Sequence, residues 1–205
     1  MRIADLAGRL VLLTGSRAVG VEEASDKRFG SDSQAIYARW DEFAGWATDA
    51  PTAGAANYNE ADLRPPAPAP TQLFAVGLNY KNHAAEASLD LPESPAVFTK
   101  FATSLTGPFG EVVLSGDSVD WDGPTGPWLV TPDALPDRND LELGCTVNGE
   151  TVQTGRTAEL VFPVPELIAR SPQRFLTPGD ELVSRIEGIG EMRHRLVAAQ
   201  QGESA

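Results

Sequence analysis

Hydrophobic positions change rhythm near residue 70. Before it, Arg9–Leu13 is a short apolar run closed by Thr14 and Gly15, which predicts a strand ending in a turn, with residues 19–21 as its partner. Ile36, Trp40, Phe43, Ala44 and Ala47 then fall at i, i+4, i+7, i+8 and i+11. That is one face of a helix over 33–47, with Ser31, Asp32 or Ser33 as candidate N-cap. A Trp and Phe stripe of this kind is core packing far more often than a ligand platform. Residues 49–71 lose all periodicity, and the run PPAPAP at 65–70 predicts an extended, semi-rigid linker.

Beyond the linker the rhythm shortens to that of strands. Leu73–Leu78, Ala96–Phe101 and Glu111–Leu114 are apolar runs of strand length, with a short helix expected over Asn82–Ala87. Leu141, Leu143, Cys145 and Val147 alternate with polar positions, which predicts a half-buried strand and an inert, buried Cys145. Asn148-Gly149 follows at once, the pair a type I′ hairpin turn requires. A helix over 164–169 and a last hairpin, 182–187 and 191–197 around Gly188-Ile189-Gly190, complete the pattern. The division this predicts is a small N-terminal α/β region over 1–70 and a mostly β region over 71–205.

Composition narrows the function classes. A formal charge of −13 in 205 residues, without a dense basic run, predicts no nucleic-acid partner, because such a field repels phosphate. No apolar stretch approaches the ~20 residues of a membrane span, so no membrane partner is expected. A lone cysteine and no visible leader give the expectation of a cytoplasmic protein.

His83 and Glu86 are the first candidate chemistry. Spaced i, i+3 on the expected helix, they share a face, so the carboxylate can orient the imidazole as a general base needs. Such pairs also occur on many solvated helices, and the spacing alone is weak. His194, between Arg193 and Arg195, reads as structural, and the glycines form no dinucleotide fingerprint.

The surrounding residues carry a stronger indication. Residues 77–86 (GLNYKNHAAE) resemble the GLNYxxHAxE segment of the fumarylacetoacetate hydrolase family. Residues 95–101 (PAVFTKF), 104–108 (SLTGP), 126–131 (GPWLVT), 147–150 (VNGE), 153–162 (QTGRTAELVF), 178–182 (PGDEL) and 186–190 (IEGIG) resemble later segments of the same family, in order. The resemblance covers most of 73–197 and extends to acylpyruvate hydrolases and 2-hydroxyhepta-2,4-diene-1,7-dioate isomerases. It implies an α+β fold, a mixed β-roll of the fumarylacetoacetate-hydrolase type behind the small N-terminal region, commonly as a homodimer. It implies hydrolytic C–C cleavage of a small-molecule 2-oxo acid such as an acylpyruvate, or isomerisation or decarboxylation in the same family. By the same resemblance His83 and Glu86 activate water, Tyr80 and Lys100 contact substrate, and Mg²⁺ or Mn²⁺ polarises the oxo-acid oxygens.

The metal ligands are where the sequence departs from the family. There, a segment like Val119-Asp120-Trp121 enters a strand with two glutamates at i, i+2, and an aspartate follows downstream. Here Trp121 is followed by residues 122–127 (DGPTGP), which resemble a much later segment, and a second block is missing near 169–172. Asp122 is the one weak candidate ligand left; Asp117 and Asp120 read as turn residues. A single carboxylate does not hold Mg²⁺ well. A non-catalytic, metal-free remnant serving as a binding or assembly subunit is therefore the competing expectation. Of the joins at Trp121–Asp122 and Ala169–Ser171, at least one is expected to be a seam where residues are missing and not a genuine short loop.

Overall fold

In the computed structural model the chain opens with a hairpin of which the sequence pattern revealed only the second strand. Described are residues 1–109, 111, 123–169, 181–186 and 190–195; for 168, 169 and the last two stretches this means the backbone alone. The strands of the first part are β1 (Arg2–Leu6), β2 (Arg9–Thr14), β3 (Arg17–Gly20), β4 (Ala56–Asn57) and β5 (Leu63–Arg64). Then come β6 (Leu73–Gly77), β7 (Ala96–Lys100), β8 (Leu105–Thr106), β9 (Gly123–Pro124) and β10 (Leu129–Val130). The remaining strands are β11 (Glu142–Val147), β12 (Glu150–Arg156), β13 (Glu181–Ile186) and β14 (Gly190–Arg195).

Ala7 and Gly8, at φ 52° and 84°, join β1 to β2 in a two-residue turn, with Leu6 opposite Arg9. Positive φ at both central residues gives the twist that suits a tight hairpin. The first sheet runs β10-β1-β2-β3-β4, with β5 also pairing β1. β10 pairs the start of β1 (Arg2 with Val130) and β5 its end (Leu6 with Leu63). Residues 129–130 thus share a sheet with the N-terminal strands.

β2 is apolar on both faces because both are covered. Leu10 and Leu12 join Ile3, Val19, Val21, Phe29, Ile36 and Phe43 in one core, while Val11 and Leu13 join Ala4, Ala18 and Leu63 in the other. The aromatic stripe supplies the first core. It is a 3₁₀ turn (Ala35–Arg39) running into α2 (Trp40–Ala47), after α1 (Val21–Ala24). Phe43 is fully buried and meets Phe29 edge-on at 5.4 Å between ring centroids. Asp32 accepts the Gln34 N–H at 2.8 Å, while Ser33 turns inward to Asp5. The Pro-rich stretch lies against this helical segment: Tyr37 Oη donates to the Pro66 carbonyl at 2.9 Å, and Gln34 Oε1 accepts the Ala69 N–H at 2.9 Å.

β6–β7 and β11–β12 are two-stranded antiparallel sheets, with α3 (Lys81–Glu86) following β6. Asn148 and Gly149 take φ 53° and 84°, the type I′ geometry their sequence predicts. The expectation that β11 is half-buried is corrected: every residue of it is exposed, and so is Cys145. The alternation is present, but the residues beside it pair as a ribbon of two strands whose faces remain accessible.

The chain divides into two compact units, Met1–Phe162 and Pro163–Ala205. Within the second, α4 spans Val164–Ala169, and β13 pairs with β14, Glu181 opposite Arg195 and Ile186 opposite Gly190. Strand residues 112–114, Asp117, Asp120, Trp121, Asp122, the 178–180 motif and residue 187 lie outside the described residues, as does the His194 side chain. Both joins reach into that set. The described fold is α+β with mostly antiparallel strands. Among the described residues no helix is long and apolar enough to cross a membrane.

Candidate functional site

α3 is six residues long, too short to hold its shape alone, so its geometry depends on what grips its entry. Leu78 takes φ 51°, which turns the chain out of β6. Asn79, next in line, is buried and makes a two-way clamp on Phe162: its Nδ2 donates to the Phe162 carbonyl at 3.0 Å and its Oδ1 accepts the Phe162 N–H at 2.9 Å. The Asn79 carbonyl also accepts the Val161 N–H at 2.9 Å, and Tyr80 bridges Leu160. The amide side chain here substitutes for a strand partner, leaving no buried backbone group of Phe162 unpaired.

From this anchor the helix turns Ala84 inward, almost fully buried, and leaves His83 and Glu86 half exposed. His83 Nδ1 stands 3.8 Å from Glu86 Oε2, with 50% and 55% of the two side chains exposed. This is an ion-pair separation, longer than a hydrogen bond, and catalytic pairs often close only around substrate. Asn82 Nδ2 donates to Glu159 Oε2 at 2.9 Å, and the same oxygen accepts the Arg156 N–H at 3.2 Å.

Beside the pair is a cavity of about 240 Å³, walled on one side by Tyr80, Asn82, His83 and Glu86 and on the other by Leu143, Gln153, Thr154 and Gly155. The structure therefore brings three of the expected residues, Tyr80, His83 and Glu86, to one place. Lys100 is not among the lining residues. It pairs with Leu73 at the end of β7 farthest from α3, whereas Ala96, at the near end, pairs with Gly77. Four residue steps along a strand separate the two ends by about 13 Å. Lys100 Nζ lies instead beside Gly123, where a Cβ would stand 3.5 Å from it.

Asn82, Gln153 and Thr154 were missed as site residues. Asn82 occupies an unspecified position of the 77–86 motif, and 153–162 matched as a block without roles, so the indication was present but unresolved. Nearby, Arg156 is engaged elsewhere: its hydrogen bond to Asp140, at 2.6 Å, and the neighbouring carboxylates raise its guanidinium above its ordinary range. Among the described residues no three His, Cys, Asp or Glu side chains converge on a point that could hold a metal ion. Asp122 lies outside them.

Comparison with known proteins gives the family. The sequence model of the fumarylacetoacetate (FAA) hydrolase C-terminal family matches residues 114–173. The crystal structure of a protein provisionally designated HpcE, from Mycobacterium smegmatis, is 36% identical, with a TM-score of 0.71 over 96% of this chain and 99% of that one. The chain belongs to the fumarylacetoacetate hydrolase family. A maleylpyruvate hydrolase from Sphingobium sp. SYK-6, crystallised with Mn²⁺ and pyruvate, shares the fold at 21% identity and a TM-score of 0.65, over 96% of this chain and 99% of that one. A mitochondrial oxaloacetate tautomerase of Homo sapiens is 29% identical, over 71% of this chain and 65% of its own length. The chain thus spans less than two thirds of that family member. The alignment runs over 205 positions yet takes in 71% of this 205-residue chain, so more than a quarter of its positions have no residue here.

Proposed function

We propose that this family member cleaves an acylpyruvate or a related 2-oxo acid hydrolytically, with His83 as general base and Glu86 as the carboxylate that orients it. The observation that carries the reading is the pair itself, 3.8 Å apart at the wall of a cavity of about 240 Å³. His83 takes a proton from water as the oxygen adds to the acyl carbonyl. The bond between the acyl carbon and the pyruvate methylene then breaks, its electron pair forms the pyruvate enolate, and the proton held by the imidazole returns to that carbon. Glu86 stabilises the imidazolium in between. Tyr80, Gln153 and Thr154 supply polar groups that fix the oxo acid against Leu143, a usual division of labour in a small-molecule site.

The Mn²⁺ and pyruvate of the Sphingobium hydrolase support a divalent metal and a 2-oxo acid for this chain as well. The described residues do not by themselves form a ligand set for such an ion. A homodimer with the β-roll completed is the assembly this reading implies. The missing alignment positions favour a second reading, a remnant that binds but does not turn over.

An assay of acylpyruvate hydrolysis, with enol–keto tautomerisation of a 2-oxo acid in parallel, separates the readings. For the hydrolase, His83→Ala lowers kcat about 100-fold or more while KM changes little, as loss of general-base catalysis requires. Proton transfer in the tautomerisation assay alone assigns the isomerase branch of the family. No turnover of either substrate, with His83→Ala equal to the parent, would establish the remnant.

A further inference from the structure

We propose that Glu159 is a positioning residue for the His83–Glu86 pair, acting through Asn82 as a latch that holds α3 against the turn at 157–159. The inference rests on the reading of His83 and Glu86 as the proton-handling pair. Asn79 and Tyr80 fix only the entry of α3. Asn82 lies within the helix, and on a helix residues four apart lie on one stripe, so Asn82 sits directly above Glu86 with His83 beside it. Fixing the Asn82 amide therefore fixes the azimuth of the face that carries both functional groups.

Glu159 is suited to this because it is already oriented: the oxygen that receives Asn82 Nδ2 at 2.9 Å also receives the Arg156 N–H at 3.2 Å. One carboxylate oxygen thus joins the end of β12, which borders the cavity through Gln153–Gly155, to the helix on the cavity's other side. This pair connects the two walls across 77 residues of sequence. Loss of the latch should let α3 rotate and fray about its anchored entry, separating His83 from the wall it faces.

The test reads the helix directly, apart from turnover. In α3 the Ala84 N–H bonds the Tyr80 carbonyl and the Ala87 N–H bonds that of His83, and both exchange rates can be followed by NMR. Asn82→Ala or Glu159→Ala should speed exchange at both amides roughly threefold to tenfold, the effect of one net hydrogen bond. The double variant should be no faster than the singles, because the two residues act as one unit. Glu159→Gln keeps the acceptor and should stay within about twofold of the parent. Asn82→Asp opposes two acceptors and should open the latch, while Asn82→Asp with Glu159→Gln exchanges donor and acceptor and should close it again. That reversal identifies the Asn82–Glu159 hydrogen bond itself as the source of the effect. In an active preparation kcat should follow the same order with KM little changed. Unchanged exchange in Asn82→Ala, additive single effects, or no recovery in the exchanged pair would each overturn the latch. Absence of turnover in the parent overturns the function reading instead and leaves the exchange measurements readable.

Discussion

Asp5 shows how a single side chain can hold a turn and a core together. It is 4% exposed, its Oδ1 accepts the Gly8 N–H and its Oδ2 accepts the buried Ser33 hydroxyl, both at 2.7 Å. Asp5→Ala leaves a buried hydroxyl and the strained Ala7–Gly8 turn unsupported, and should cost about 1–3 kcal/mol in urea unfolding. Asp5→Asn retains one acceptor and a rotatable Ser33 partner, so it should cost less. Glu42 gives a pH-dependent case at the surface. Its hydrogen bond to Arg39 first, and then that to Arg28, lowers its carboxyl below the ordinary 4.5. A depressed carboxyl contributes stability above its unfolded value, and that contribution disappears as pH falls through the folded one. Glu42→Gln should therefore lower Tm slightly at pH 7, and parent and variant should converge below about pH 4. A constant difference down to pH 2.5 would show that the ion pairs are not its source. Neither residue was legible beforehand: Asp5 interrupts the apolar run of β1, which hid that strand, and its partner Ser33 is 28 positions away.

The elements that local rules govern were readable. Asn148-Gly149 specifies its own φ angles, and the spacing Ile36–Trp40–Phe43 specifies its buried face, so both are present as expected. Strand boundaries at β6, β7 and the last hairpin fell within a residue or two for the same reason. Docking of α3 was not readable, because Asn79 and Phe162 meet across 83 residues and no local pattern announces an amide that serves as a strand partner. The contact is also the most exposed to test. Asn79→Ala would leave both the N–H and the carbonyl of Phe162, a buried residue, without the amide that now satisfies them. The expected cost is about 1–3 kcal/mol, with exchange at Ala84 rising before the β1–β2 amides respond. Equal acceleration of both sets would place Asn79 in the global core and remove its special tie to the site.

At the scale of the whole molecule, burial departs from the apolar pattern of the sequence. β6–β7 is apolar on both faces: Ala75 pairs with Phe98 on one and Val76 with Val97 on the other. Strands of that kind belong inside a larger sheet. Here Phe74 is 63% exposed, Val97 56%, Phe98 55%, and Phe101, just beyond β7, 84%. A two-stranded ribbon is marginal in water without a partner layer. The relatives supply a reason, since more than a quarter of the alignment with the human tautomerase has no residue here, and the family pattern breaks at Trp121–Asp122. The apolar pattern of β6–β7 therefore fits a larger sheet than the described residues form. It follows that the chain should bind 8-anilinonaphthalene-1-sulfonate in its native state, and that Phe74→Thr with Phe98→Thr should cut that fluorescence by half or more without lowering Tm. In a covered core the same two substitutions would each cost about 3 kcal/mol or more. Strong destabilisation together with no dye binding would mean that a second copy or residues outside the described set close these faces, and sedimentation at two concentrations would separate those cases, because only association depends on concentration.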